Sequence, residues 1–277
     1  MTSVVIAAYN EAAVIGANLD RLLAGAAPGE LEVVVVANGC SDETASVARA
    51  RPVTVLDLPE AGKAGALNAG DAAATGYPRI YLDADVGATV DTVRALVGAL
   101  GEASGPLVAV PDRRLVVSGR PPAVRCYYAI QSRLPAARTG LYGRGMIALT
   151  EPARARFERF PDVLADDLFL DSLFAADERV LVASVHTTVE TPRRTRDLVG
   201  RLARVRRGNA ALRASGRVGV RSSNRTSWLR DVVLPRPWLA PAGLVYAVIT
   251  LVAERRARRS DGSWGTDTTT RAPRGGR

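Results

Sequence analysis

The first hundred residues alternate between short, continuous apolar runs and longer stretches with a helical spacing of apolar positions. The runs predict strands over 3–8, 31–37, 53–57 and 79–82. The intervening stretches predict helices over 11–24, with Val14, Leu19, Leu22 and Leu23 on its apolar side, and over 42–50, 63–75 and 89–100. Ser41 is the expected N-cap of the second helix. Uninterrupted apolar strands alternating with helices are the signature of a mostly parallel α/β sheet covered by helices on both faces. Such a Rossmann-like sheet binds its ligands beyond the carboxyl ends of its strands.

From residue 107 the pattern loosens. Short strands are expected over 107–110 and 114–117, a helix over 121–134, and a strand over 146–149 after the Gly-rich stretch 140–145. Short helices over 152–160 and 166–174 follow, then a strand over 180–185 and an Arg-rich helix over 196–214. Pro235 and Pro241 break the chain. Residues 238–253 then form 16 positions without a charge, short of the roughly 20 needed to span a bilayer. They abut Glu254-Arg-Arg-Ala-Arg-Arg259. An apolar segment beside an Arg cluster suits an interfacial helix on an anionic membrane; a helix packed on the domain is the alternative. These features divide the chain into 1–230 (halves 1–110 and 111–230), the apolar and basic segment 231–259, and a tail, 260–277, expected to be disordered.

Composition sharpens this picture in three places. Of 277 residues, 47% are hydrophobic, enough for one large α/β domain. Two cysteines, Cys40 and Cys126, lack the spacing of a disulfide framework or a zinc site, which points to a reducing, cytoplasmic setting. The N-terminus carries no basic n-region and does not read as a signal peptide. The net charge of +9 is local: residues 193–230 carry +11 and residues 254–277 carry +4, leaving −6 for the remainder. A basic patch fits an anionic membrane surface or a phosphate-bearing acceptor. Nucleic acid is not expected, because 193–230 holds one aromatic, Trp228, and no recognition module. Of the 37 basic residues only Lys63 is a lysine, a compact point charge among Ala and Gly.

The candidate chemistry falls at the carboxyl ends of the first, second and fourth strands. These end in Tyr9-Asn10-Glu11, in Asn38-Gly39-Cys40-Ser41-Asp42, and in Asp83-Ala84-Asp85. Two carboxylates two residues apart can share a hard divalent cation, Mg²⁺ or Mn²⁺, which takes oxygen ligands and bridges to a diphosphate. Alone, such a pair reads first as a solvated strand-end turn. Its support is Gly62-Lys63 with Ala66-Leu67-Asn68, just upstream of the fourth strand.

In order and spacing, VVIAAYNE (4–11), NGCSD (38–42), Gly62-Lys63 with Ala66-Leu67-Asn68, and Asp83-Ala84-Asp85 resemble the family 2 glycosyltransferases of GT-A fold, over roughly residues 3–215. The resemblance implies a metal-dependent transfer of a sugar from a nucleotide-sugar. Ala7, Tyr9 and Glu11 would line the base and ribose pocket. Asn38 stands where many relatives carry an Asp that contacts the base. Lys63 would lie near the base or diphosphate, Asp83 at the ribose or metal, Asp85 at the metal, and Gly145 in the acceptor-side loop. Asp166-Asp167 resembles the Glu-Asp step that supplies the catalytic base, with Asp167 as the base; a separate base implies inversion. The same pair could instead satisfy free helix N-terminal amides. The Gln-x-x-Arg-Trp motif of processive relatives is replaced by Arg201-Leu-Ala-Arg204-Val205, which argues against a polymer synthase. Arg204 and Arg207 are expected at a diphosphate or an acceptor phosphate. His186, the single histidine, is expected to be structural. Trp264 to Arg271 resembles a tail of some bacterial members.

A nucleotidyltransferase of similar fold would need a Gly-rich, Arg-bearing loop after the first strand, and a dinucleotide enzyme GxGxxG there; neither is present. A non-catalytic sugar-nucleotide-binding relative would be expected to lack Asp83, Asp85 or Asp167. The sequence therefore points to a glycosyltransferase with an unidentified acceptor, lipid-linked or phosphate-bearing, held at the inner face of the cell membrane.

Overall fold

The structure is a computed structural model, which describes residues 1–101, 105–162, 165–214, 224 and 226–259. The expected disorder of 260–277 and the motif at 264–271 lie outside the described residues, as does Leu164. Seven strands form one sheet in the order β3-β2-β1-β4-β6-β5-β7. They are β1 (Thr2–Ala8), β2 (Leu31–Asn38), β3 (Thr54–Leu58), β4 (Arg79–Leu82), β5 (Val108–Val116), β6 (Met146–Leu149) and β7 (Arg179–Glu190). All neighbouring pairs are parallel except those of β6, which runs antiparallel to β4 and β5. The fold is the mostly parallel α/β sheet that the apolar runs implied.

The helices α1 (Ala12–Leu23), α2 (Thr44–Arg49), α3 (Lys63–Ala73) and α4 (Val90–Ala99) cover the first half on both faces. On β1, Val4, Ile6 and Ala8 enter one core with Ile15, Leu19 and Val93. Val5 enters the other with Leu67 of α3 and Phe160. Burial on both faces is why the strand reads as continuously apolar. Gly70 lets α3 lie close on the sheet: a Cβ there would sit 2.5 Å from Val5 Cγ1.

The second half departs from expectation in four places. The strands expected at 107–110 and 114–117 are one strand, β5, paired throughout with β7 across a register shift between Pro111 and Asp112. Those two residues interrupt the apolar pattern at the irregularity, so one strand reads as two. The helix expected over 121–134 is α5 (Pro122–Gln131) followed by α6 (Pro135–Thr139), because a new turn starts at Pro135. The helix expected over 152–160 is the single turn α7 (Glu151–Arg154). The strand expected over 180–185 extends to Glu190 and leaves His186 exposed, opposite Asp112 in the ladder. In the first half, Ser41 is not the cap of α2: the helix starts at Thr44, and Asp42 Oδ1 accepts the Thr44 N–H at 3.1 Å.

Helices α8 (Asp166–Leu173) and α9 (Thr195–Ala214) complete the body. A π-helical turn (Trp228–Val233) and a 3₁₀ turn (Pro237–Leu239) lead into α10 (Ala240–Arg259). α10 docks through Ile249, Val245 and Tyr246 on Val124 and Tyr127 of α5 and Leu198 of α9. Its far side leaves Leu244, Val248, Leu251 and Val252 exposed, with Trp238 ahead of it 72% exposed. The charge-free run of 16 residues is short for a span, but the helical stretch that holds it, Pro237–Arg259, is by length and composition able to cross a membrane.

Candidate active site

The first three parallel strands and β4 bring their carboxyl ends to one edge, and β6 brings its N-terminal Met146 to the same place. The Asp83 N–H donates to the Gly145 carbonyl at 2.9 Å, closing the edge between β4 and the loop 140–145. Gly145 has φ +69°, and a Cβ there would meet Val86 Cγ2 at 2.4 Å, so both backbone and space call for glycine.

A crevice opens at this edge, lined by Ala7, Lys63, Asp83, Gly145, Asp166 and Asp167. At its centre Lys63 Nζ lies 2.8 Å from Asp83 Oδ1 and 2.9 Å from Asp166 Oδ2. One cation from the start of α3 thus ties the end of β4 to the start of α8. Burial alone would lower the Lys63 pKa, but the charges of Asp166 and Asp83 hold it well above its ordinary value. The ammonium pulls Asp83 below the usual carboxylate range, and Arg201 of α9 adds to that pull.

Asp167 behaves differently. Its Oδ2 accepts the Gly143 N–H at 3.0 Å and its Oδ1 the Leu168 N–H at 2.8 Å. Burial, and then the neighbouring charge of Asp166, push it up to about 6, against the opposing pull of Lys63. Two adjacent carboxylates at the first turn of α8 therefore stand in different environments: Asp166 is neutralised by an ion pair, and Asp167 is poised to exchange a proton near neutral pH. Asp167 also serves the free amide of Leu168 at the helix start, as the helix N-terminal reading of the pair expects.

Asn38 is a brace. Its Nδ2 donates to Ala8 O at 2.8 Å and its Oδ1 accepts the Gly62 N–H at 3.0 Å. Fully buried, it locks the ends of β1 and β2 and fixes the entry to α3, and so places Lys63. Neighbouring polar groups do similar work: Asn10 Oδ1 accepts the Ser41 N–H at 2.8 Å, and Thr44 Oγ1 accepts the Glu11 N–H at 2.8 Å. Glu11 is buried and Tyr9 half-buried at this end of β1. Asp85 is exposed beyond Asp83. Arg204 and Arg207 are half-buried on α9 and do not line the crevice. The α9 arginine whose charge reaches Asp83 is Arg201, three residues earlier. The spacing of the Gln-x-x-Arg-Trp motif points to position 204, and nothing in that spacing marks 201 as the closer charge.

The donor set suits a hard cation in part. Asp83 and Asp85 offer carboxylate oxygens from one turn, which fits Mg²⁺ or Mn²⁺. Among the described residues, no three acidic, Cys or His side chains converge to hold a metal unaided. An ion here would therefore share its remaining ligands with a diphosphate and water.

A family model described as glycosyl transferase family 2 matches residues 3–145, from β1 to the loop before β6. The chain belongs to that family. The family's match includes Lys63, Asp83, Asp85 and Gly145 and stops before Asp166 and Asp167. The structure is similar to a mannosyltransferase from Pyrobaculum calidifontis in complex with GDP-Man and Mn²⁺, at 22% identity and a TM-score of 0.61, covering 91% of this chain and 75% of that one. It is also similar to glucosyl-3-phosphoglycerate synthase from Mycobacterium tuberculosis in complex with Mn²⁺, UDP and phosphoglyceric acid, at 21% identity and a TM-score of 0.56, covering 80% of each chain. At these identities the likeness is one of fold, which is GT-A. No curated protein sequence matches the chain.

Proposed function

We propose that this chain transfers a hexosyl group from a nucleoside diphosphate sugar to an acceptor hydroxyl or phosphate, with inversion at the anomeric carbon. Family membership supports the reaction type. The observation that carries the assignment of roles is the contrast at α8: Asp166 held by Lys63, and Asp167 raised to about 6 beside it.

Asp83 and Asp85 would hold Mn²⁺ or Mg²⁺ together with the donor diphosphate. The bound ion would neutralise charge on the departing diphosphate. Lys63 orients Asp83 and Asp166 and supplies a second positive charge at the same place. For a hydroxyl acceptor, Asp167 takes the proton as the acceptor oxygen bonds to the anomeric carbon and the bond to the diphosphate breaks. With the diphosphate held at Asp83 and Asp85 and a separate base at Asp167, the reaction would be a single displacement. Ala7, Tyr9 and Glu11, at the end of β1, are assigned to the nucleoside. A binding test of the donor is thermal stabilisation by UDP-, GDP- and dTDP-sugars with Mn²⁺. A ligand at 100 times its Kd should stabilise by about 2.7 kcal/mol. Stabilisation by none of them would remove the assignment.

Peripheral membrane attachment is favoured by one further observation. The exposed face of α10 carries Leu244, Val248, Leu251 and Val252 and runs into Arg255, Arg256 and Arg259, also exposed. With its other side docked on α5 and α9, the helix is placed to lie along an anionic membrane surface. Leu244→Asp with Val248→Asp should release the protein from vesicles containing anionic lipid; unchanged binding would remove this part of the reading.

A further inference from the structure

A second cavity, of about 1320 Å³, lies on the other side of the loop 140–145. Its walls come from β5, α5, α6 and the segment leading into α10. Six arginines line it: Arg113, Arg125, Arg133, Arg138, Arg144 and Arg236. Among the described residues only two carboxylates accompany them, and both are engaged. Asp112 Oδ1 accepts the Arg113 backbone N–H at 2.8 Å and lies 3.5 Å from Arg144. Asp231 is paired with Arg230 at 2.9 Å and accepts from Ser227 Oγ at 2.6 Å. Among the described residues, Arg113, Arg125, Arg133, Arg138 and Arg236 have no carboxylate within ion-pair distance.

Arg113 and Arg144 stand at the inner wall. Arg144 is 1% exposed and spends its donors on backbone, reaching Gly140 O at 3.1 Å, Pro111 O at 3.1 Å and Arg138 O at 2.9 Å. Arg113 donates to Gly143 O at 3.3 Å and Gln131 Oε1 at 3.3 Å. Burial lowers the pKa of both, and the charge of Arg113 lowers Arg144 further. These two guanidiniums share one carboxylate, Asp112, so the group stays net positive, and a bound anion would relieve the remaining repulsion. Guanidinium forks also match phosphate oxygens in bidentate geometry.

We infer that this cavity binds a phosphate-bearing ligand, and that the ligand is the acceptor, held on the opposite side of the Gly143 peptide from Asp167. The connection is short: Arg113 donates to the Gly143 carbonyl, and the Gly143 N–H donates to Asp167 at 3.0 Å. The volume exceeds what a bare phosphate fills, so the anion is one end of a larger molecule. Arg236 and Ala242 of the wall belong to the segment that exposes Trp238 and Leu244, which places a lipid phosphate and a soluble sugar phosphate on the same chemistry. The acceptor role rests on the glycosyltransferase reading; the anion site does not.

Cys126 lines the cavity, whereas the other cysteine, Cys40, lies beside Asn10 at the donor edge. Alkylation of the full chain, followed at each cysteine by mass spectrometry, therefore reports on the two places separately. Inorganic phosphate should slow alkylation of Cys126 and leave Cys40 unchanged. The phosphate concentration giving half protection should rise about tenfold in Arg113→Ala and in Arg125→Ala with Arg236→Ala, since each removes charge-assisted bonds. Among the described residues, neither side chain of the second variant makes a hydrogen bond or an ion pair. Phosphatidic acid vesicles protecting Cys126 better than pure phosphatidylcholine vesicles would mark the source as a lipid headgroup. Protection by glycerol 3-phosphate alone would mark it as soluble. Equal alkylation of Cys126 with and without phosphate and both vesicle types would overturn the inference. Loss of nucleotide binding in the same samples would strike the donor reading and leave the anion site standing.

Discussion

Lys63 and Asp83 are joined at 2.8 Å across the mouth of the crevice, and the same ammonium reaches Asp166 at 2.9 Å. Two carboxylates, Asp83 and Asp166, thus share one lysine, whose charge also lowers Asp167. Lys63→Met should weaken binding of the nucleoside diphosphate by roughly 10- to 100-fold, the worth of a charge-assisted bond. Because Lys63 lowers Asp167, its removal should also move the acid limb of kcat/KM to higher pH. Titration calorimetry and a pH–rate profile read the two effects independently.

Asp167 must be ionised to accept a proton. With its pKa at about 6, kcat/KM should rise from acid pH, bend near 6 and level above 7. Asp167→Asn should lower transfer by roughly 10²- to 10⁴-fold. Stability should move the other way. The folded-state pKa lies above the ordinary 3.8, so ionisation opposes folding. That cost is absent below about pH 4 and complete above about pH 6. Asn cannot accept from both the Gly143 and Leu168 amides, a loss that is the same at every pH. The melting point of Asp167→Asn relative to the wild type should therefore rise by about 2–4 °C between pH 4 and pH 7, a change on the order of 1 kcal/mol. A difference between the variant and the wild type that does not change from pH 4 to pH 7 would contradict the raised pKa of this carboxylate.

Gly145→Ala combines a positive φ with a Cβ 2.4 Å from Val86 Cγ2. It should destabilise by about 1–3 kcal/mol and displace Asp83, whose N–H bonds to the Gly145 carbonyl. Gly65→Ala is the contrast. The position is exposed on α3 with nothing within 4 Å of the added carbon, so about 0.4–1 kcal/mol of stabilisation is expected. Chemical denaturation of both variants tests the pair.

The first half of the sheet was legible because β1, β2 and β4 are buried on both faces and spell out their apolar runs. So was the gathering of polar groups at their carboxyl ends, since a parallel sheet leaves one edge for them. The second half was less so. β7 lies at the edge of the sheet beside β5 and is at most half-buried over nearly all its length, so Ala183, Ser184 and His186 dilute its apolar pattern and hide its last five residues. Asp112 at the register shift likewise split β5 in two. Within the site, residue types pointed to Lys63, Asp83 and Asp167, but no spacing rule brings Lys63 to Asp166, 103 positions later. Nor could a motif show that the Asn38 amide is consumed by backbone, or that Arg201 reaches Asp83.

Beneath the site, Asp71 of α3 is 8% exposed and holds Arg79 of β4 at 2.5 Å, Arg154 of α7 at 2.6 Å and the Tyr81 hydroxyl at 2.8 Å. Asp71→Ala would strand two buried guanidiniums. A loss of about 3–5 kcal/mol is expected, with aggregation or an early unfolding transition in a thermal melt. A change within 1 kcal/mol would show that this cluster does not join the three elements energetically.

The division of labour between Asp85 and Asp167 is tested most directly by measuring Mn²⁺-dependent nucleotide binding and sugar transfer on the same two variants. Asp85→Ala should lose the Mn²⁺-dependent part of nucleotide binding and, with it, transfer. Asp167→Asn should bind nucleotide and Mn²⁺ as the wild type does while transfer collapses. Wild-type transfer by either variant would contradict the assignment of metal and base to these two carboxylates.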